Sequence, residues 1–131
     1  MKRLLLLACL ALVAVNVSAQ KRNSGPSEAE ITFTKTEHNF GTVPERGKKV
    51  SHTFEFTNTG KHPLVITRIT TTCKCVDYNF SKKPVPPGEK GEITITYNPK
   101  KQEGVFYKVV QIFTNTAEER HLLTVRGEVI K

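Results

Sequence analysis

Few residues in this 131-residue chain have the types and spacing to do chemistry, and two of them stand almost side by side: Cys73 and Cys75, separated by Lys74. A close thiol pair supports three chemistries: a structural disulfide or buried thiols, thiol–disulfide exchange, and ligation of a soft metal such as copper(I) or zinc. In an extended strand, residues i and i+2 share a face with Cα atoms about 7 Å apart, at the limit for an easy disulfide. A bond across one residue therefore requires a bent backbone. A closed zinc site wants four ligands and only two thiolates are adjacent, whereas copper(I) accepts two. His52 is the additional ligand candidate, although its place on an alternating apolar face also fits a packed core histidine. His38, His62 and His121 fall at turns or strand starts. These readings stay open at the level of sequence, and the identity of any metal stays unknown.

Templates for catalysis are missing. The chain has no Gly-x-Ser-x-Gly elbow, no His-Glu-x-x-His and no phosphate-cradling glycine loop, and Asp77 is its one aspartate. The glutamates lie mostly at turns and on solvent faces, so paired-carboxylate chemistry has little to work with. No catalytic residue and no cofactor are expected. Asn79-Phe80-Ser81 fits a glycosylation acceptor, a pattern short enough to recur by chance.

The elements that must position the cysteines and His52 read as strands. Val50 to Asn58 alternates cleanly, with Val50, His52, Phe54 and Phe56 on one face and Ser51, Thr53, Glu55 and Thr57 on the other. Ile31 and Phe33 alternate with threonines, and Phe40 to Val43 leads into a Pro44-Glu45-Arg46-Gly47 turn. Leu64 to Thr72 is a β-branched run with imperfect alternation, which suggests a bulge or an edge. Ile93, Ile95 and Tyr97 line one face of the next strand. Val105, Tyr107, Val109 and Phe113 line one face of Val105 to Thr114, and Leu123, Val125 and Val129 one face of His121 to Ile130. Phe54, Phe56, Ile93, Ile95, Val109 and Val125 are the expected core. No stretch carries a helical apolar stripe. Short strands punctuated by Gly/Pro turns over about 100 residues describe an all-β chain, a single immunoglobulin-like antiparallel β-sandwich of about seven strands.

Ahead of that domain, residues 1–19 have the form of a signal peptide: Lys2 and Arg3, an apolar run from Leu4 to Val15, then Val17-Ser18-Ala19 as the cleavage site. That run is shorter than the roughly 20 residues a membrane-spanning helix needs, and no later segment is more apolar. Leu6-Leu7-Ala8-Cys9 has the shape of a lipoprotein cleavage site, but it would leave an apolar stretch of about five residues where a signal peptide needs roughly 7 to 15. Residues 20–29 are polar, contain Gly25-Pro26 and read as a flexible linker, with the domain over 30–131. A periplasmic or secreted location follows, one in which a disulfide can persist. The net charge of +8 includes Lys48-Lys49, Lys82-Lys83 and Lys100-Lys101, all in expected turns, and this scatter fits solvated lysines and no nucleic-acid partner.

Several stretches together resemble the bacterial immunoglobulin-like domain-of-unknown-function family numbered fifteen seventy-three. They are His38-Asn39-Phe40-Gly41-Thr42-Val43, His52 through Gly60, Cys73-Lys74-Cys75, Pro87-Gly88 ahead of Gly91-Glu92-Ile93, Tyr97-Asn98-Pro99, Thr114-Asn115-Thr116 and Gly127-Glu128-Val129. This chain has Lys74 where the family usually has Gly, and Val76 where it usually has Thr. The family is similar in fold to the ASH domains of Hydin-type proteins and to major sperm protein. The resemblance implies an envelope or secreted location in Gram-negative bacteria, a role in binding and assembly, and no catalytic residue. The expected function is thus a non-catalytic binding or scaffolding module of the cell envelope, contacting a protein partner or envelope component through an edge strand or end loops. The alternative is a small thiol-redox or copper-handling protein using Cys73 and Cys75. The oligomeric state is not legible. Intact-mass analysis of the exported protein should find a chain beginning at Gln20, whereas a diacylated Cys9 would overturn the cleavage site.

Overall fold

The computed structural model describes residues 29–131; the expected signal peptide with Cys9 and Ala19, and the linker as far as residue 28, lie outside the described residues. Eight strands follow in order: β1 Ile31–Phe33, β2 Glu37–Pro44, β3 Val50–Asn58, β4 Ile66–Thr71, β5 Val76–Phe80, β6 Lys90–Tyr97, β7 Gly104–Thr114 and β8 Arg120–Ile130. They form two four-stranded sheets, β1-β3-β6-β5 and β2-β8-β7-β4, packed as a sandwich. Among the described residues there is no helix, and so none long and apolar enough to cross a membrane.

The chain changes sheets directly after the first expected strand. The Thr34 N–H still donates to Glu55 O on β3 at 3.0 Å, while two residues later Thr36 O accepts the Thr124 N–H of β8 at 2.8 Å. After that switch β2 runs parallel to β8, whereas all the other strand pairs are antiparallel. The parallel register shifts between Asn39 and Thr42. Gly41 supplies the bulge there with φ 70°, a left-handed conformation that favours glycine, and its N–H donates to Asn39 Oδ1 at 2.8 Å. Across from it, a Cβ on Gly127 would lie 2.7 Å from the Gly41 carbonyl and 2.8 Å from the Phe106 ring. Only glycine allows those three groups to meet.

The core fills from the inward faces of both sheets: Phe54 and Phe56 on β3, Ile93, Ile95 and Tyr97 on β6, Val110 and Ile112 on β7, Leu123 and Val125 on β8. Tyr97 and Phe106, from opposite sheets, stack with ring centroids 3.9 Å apart. Five of the six expected core residues are buried, but Val109 is not. On β7 the buried set is Phe106, Val110, Ile112 and Thr114, while Val105, Tyr107 and Val109 are 81%, 61% and 36% exposed. The expected face is inverted because β7 is apolar at both parities, so alternation alone cannot choose between them. Lys108 breaks the inward set and gives it the look of a solvent face, yet a lysine can lay its stem over apolar neighbours while its amine reaches water.

A second contact between the sheets is aromatic. His38 on β2 and His52 on β3 stack with centroids 3.7 Å apart and planes at 8°, flanked edge-on by Phe40 and Phe54 at 4.7 Å each. Burial, reinforced by the Lys35 charge, holds His38 below the usual histidine value of 6.5. Burial, then His38, then Lys35 do the same for His52. Both imidazoles thus take up a proton less readily in the fold than in the unfolded chain.

Phe106→Ala should cost about 3 to 5 kcal/mol in denaturant unfolding, whereas Tyr107→Ala on the neighbouring outward position should cost less than about 1 kcal/mol. The opposite ranking would restore the face expected from sequence. The histidine stack makes stability depend on pH with a definite sign. Because the folded values are lowered, the unfolded chain takes up protons first, so the contribution is complete above about 6.5 and is lost as pH falls through the folded-state values. Between about pH 7.5 and 5.5, where carboxylates hardly titrate, the unfolding midpoint should fall, and His52→Phe should flatten that slope. An unchanged slope in the variant would assign the pH dependence to other groups.

Candidate functional site

β4 ends on the edge of one sheet and β5 begins on the edge of the other, so residues 72–75 carry the chain across the sandwich. A tight turn makes this crossing. The Val76 N–H donates to Cys73 O at 3.2 Å, the Cys73 N–H to Thr71 Oγ1 at 3.4 Å, and the Asn98 N–H, just after β6, to Cys75 O at 2.8 Å. The bend brings the Cα atoms of Cys73 and Cys75 to 5.1 Å, within disulfide range, and the two are joined by a disulfide. Cys75 is buried, Cys73 partly exposed and Lys74 exposed between them. The Cys75 N–H also donates to Cys73 Sγ at 3.2 Å.

His52 is not brought to this turn. It faces Ile95 on β6, which in turn faces Tyr78 on β5, so a whole strand stands between it and the element that follows Cys75. Its ring is committed to the stack with His38. Among the described residues no group of three or more His, Cys, Asp or Glu side chains is placed to hold a metal ion. His121 is committed locally, its Nε2 3.1 Å from Thr116 Oγ1 at the far end of the sandwich.

The surface that sequence reasoning missed is the outer face of β2-β8-β7-β4. Val105, Tyr107 and Val109 of β7 lie beside Glu128, Arg126 and Thr124 of β8, and Gln111 lies beside Leu122, itself half exposed. Arg68 of β4 covers the Phe113 ring at 4.1 Å, and Arg126 pairs with Glu37 of β2. A shallow depression of about 450 Å³ runs between β2 and β7, lined by Glu37, Asn39, Gly41, Val105, Tyr107 and Arg126. The signal in the sequence was the double parity of β7, apolar at 105, 107, 109 and 113 and again at 106, 110 and 112.

The outer face of the other sheet is chemically opposite. Ser51 and Thr96 hydroxyls pair at 2.7 Å, Thr53 and Thr94 at 3.0 Å, and Lys90 reaches Glu55 at 3.2 Å. Lys48-Lys49, Lys82-Lys83 and Lys100-Lys101 are exposed between strands. One broad face is thus a hydroxyl lattice in water and the other is apolar with arginines set into it.

The fold recurs in solved structures of low identity. A protein of unknown function from Porphyromonas gingivalis W83 superposes with a TM-score of 0.67 at 17% identity over 76% of this chain and 46% of its own, so the present chain spans less than half that protein. The ASH / PapD-like domain 7 of human CEP192 gives 0.62 at 12% identity, covering 81% of this chain and 87% of the domain. The secreted serine protease VesC of Vibrio cholerae gives 0.58 at 14% identity over 76% of this chain and 23% of the protease. At such identities these likenesses establish the sandwich fold alone. Among curated proteins none matches the sequence. Residues 31–129 match the family described as protein of unknown function (DUF1573), and with nearly the whole folded domain inside that match the chain belongs to the DUF1573 family.

Proposed function

We propose that this chain is an exported immunoglobulin-like binding module of the bacterial cell envelope that holds a protein partner on the outer face of β2-β8-β7-β4. The observation that carries the reading is the exposure of Val105, Tyr107 and Leu122, at 81%, 61% and 50%, on two adjoining strands at the centre of that sheet. Isolated exposed apolar residues are ordinary, but a cluster on one flat face costs hydration that a partner would recover. Covering one such side chain is worth about 1.5 to 3 kcal/mol. Tyrosine and arginine in the same patch supply the residue types that dominate protein contacts, and Arg126 meets a partner with its charge already balanced by Glu37. The surface is broad and shallow, which suits a macromolecule better than a small ligand. Export is supported by the form of residues 1–19, and the contrast with the hydroxyl face indicates which side does the binding.

A photo-crosslinking side chain at position 107, with position 53 on the hydroxyl face as control, tests this reading in cells that make the protein. An adduct of defined mass is expected at 107 and not at 53, and Val105→Asp with Leu122→Asp should cut its yield at least about tenfold while the fold persists. An adduct of twice the chain's own mass would make a second copy the partner. Crosslinking at 53 alone, or at neither position, would sink the proposal.

A further inference from the structure

Four features of the Cys73–Cys75 turn point beyond a bond kept for stability. A disulfide that closes a loop of one intervening residue removes little entropy from the unfolded chain, and this one ties together no two distant segments. The two residues are unequally exposed, Cys73 partly and Cys75 hardly at all. The Cys75 N–H is already aimed at Cys73 Sγ, at 3.2 Å, and a backbone donor on a sulfur favours its thiolate. Exposed Lys74 between them adds positive charge to the same turn.

We propose that Cys73 and Cys75 form a thiol–disulfide exchange centre in which Cys73 is the sulfur that meets a thiol-bearing partner. A partner thiolate attacks Cys73 Sγ, forming a mixed disulfide as the Cys73–Cys75 bond breaks, and Cys75 leaves as a thiolate that takes up a proton. A second partner thiolate then attacks the partner's sulfur in that mixed disulfide and releases Cys73 as a thiolate facing the Cys75 amide. Two partner thiols become one disulfide, the protein pair becomes a dithiol, and two electrons pass to the protein. The protons of the partner thiols end on the protein sulfurs or in water. In the reverse direction Cys73 is the nucleophile and Cys75 closes the bond. The turn suits this traffic because its position between two edge strands leaves Cys73 reachable, while the hydrogen bonds from Val76 and Asn98 hold the backbone in the bent form that the bond requires.

The test uses protein carrying Cys9→Ser, so that no third thiol interferes, with reduced glutathione as the probe. The native disulfide should be reduced at least as fast as in the same chain unfolded in urea, and acid-trapped glutathione should map to Cys73. Slower reduction in the native protein, or glutathione on Cys75, overturns the proposal. Single-thiol variants give a second readout once their unfolding midpoints confirm that they fold. Cys73 in Cys75→Ser should react with an aromatic disulfide at least about tenfold faster than Cys75 in Cys73→Ser, with a reactivity midpoint below about pH 8.5, the ordinary cysteine value. Equal rates with ordinary midpoints would count against it.

Discussion

A single buried carboxamide fixes the end of the sandwich where its irregular segments meet. Asn58, fully buried at the end of β3, donates through Nδ2 to His62 O at 2.7 Å and Val85 O at 2.9 Å, and its Oδ1 accepts the Gly60 N–H at 3.0 Å. Its own N–H donates to Glu89 O and its carbonyl accepts from Gly88. One side chain thereby ties backbone groups of the turn after β3 to the proline-rich loop before β6, sharing Val85 O with the Leu64 N–H. An apolar residue there would remove the carboxamide hydrogen bonds to His62 O, Val85 O and the Gly60 N–H, each worth about 0.5 to 1.5 kcal/mol. The same junction seats the bridge between Leu64 and Val85, which drops Leu64 into the core. Asn115 completes the work from the other sheet, its Oδ1 accepting the Val65 N–H at 2.8 Å and its Nδ2 donating to Pro63 O at 3.1 Å. The entry to β4 is therefore set from both sheets at once.

With β4 placed on its edge, β7 is hydrogen-bonded on both sides, to β8 and β4, and its register decides which of its two apolar faces looks outward. A slip of one residue would exchange the faces completely. The choice is made by a glycine: Phe106 lies opposite Gly127, and the space beneath its ring is the space a Cβ at that position would occupy. In the slipped register a tyrosine or a valine would meet that gap, and the stack of Phe106 on Tyr97 would be lost. The exposed Val105, Tyr107 and Val109 are thus held outward by packing on the far side of their own strand.

The same reasoning explains which parts of the molecule were legible in sequence. β3, β6 and β8 could be read directly because each has one apolar parity and one that is mostly polar, and Val50–Asn58 is found with its expected bounds. β7 could not, since the information that orients it sits in Gly127 on the next strand. β5 was not singled out, although Val76, Tyr78 and Phe80 alternate, because five residues directly after a cysteine pair give too short a pattern to separate from a loop. The parallel pairing of β2 depends on a switch between sheets at Thr34 to Thr36, which no local periodicity encodes. For the cysteines, the need for a bend was legible and its realisation was not, since it rests on the Asn98 amide arriving from another strand. The partner of His52 was hidden for a similar reason, because the stack joins residues of opposite sheets.

The two surfaces of interest are mechanically independent, and this follows from where each is anchored. The apolar face stands on β7 and β8, the central pair of their sheet, whose backbone groups are paired along ten residue partners from Gly104 to Phe113. Opening that pair would expose the core, so its free energy approaches that of global unfolding. The cysteine turn joins β4 and β5, each an edge strand with one neighbour, and edge elements open at lower cost. Breaking the bond between Cys73 and Cys75 loosens only the crossing between two edges, while Asn58 and Asn115 continue to seat the start of β4 and Phe106 continues to hold the register of β7. The proposed exchange at the sulfur pair would therefore leave the face undisturbed, since the two are anchored on different strands of the sandwich.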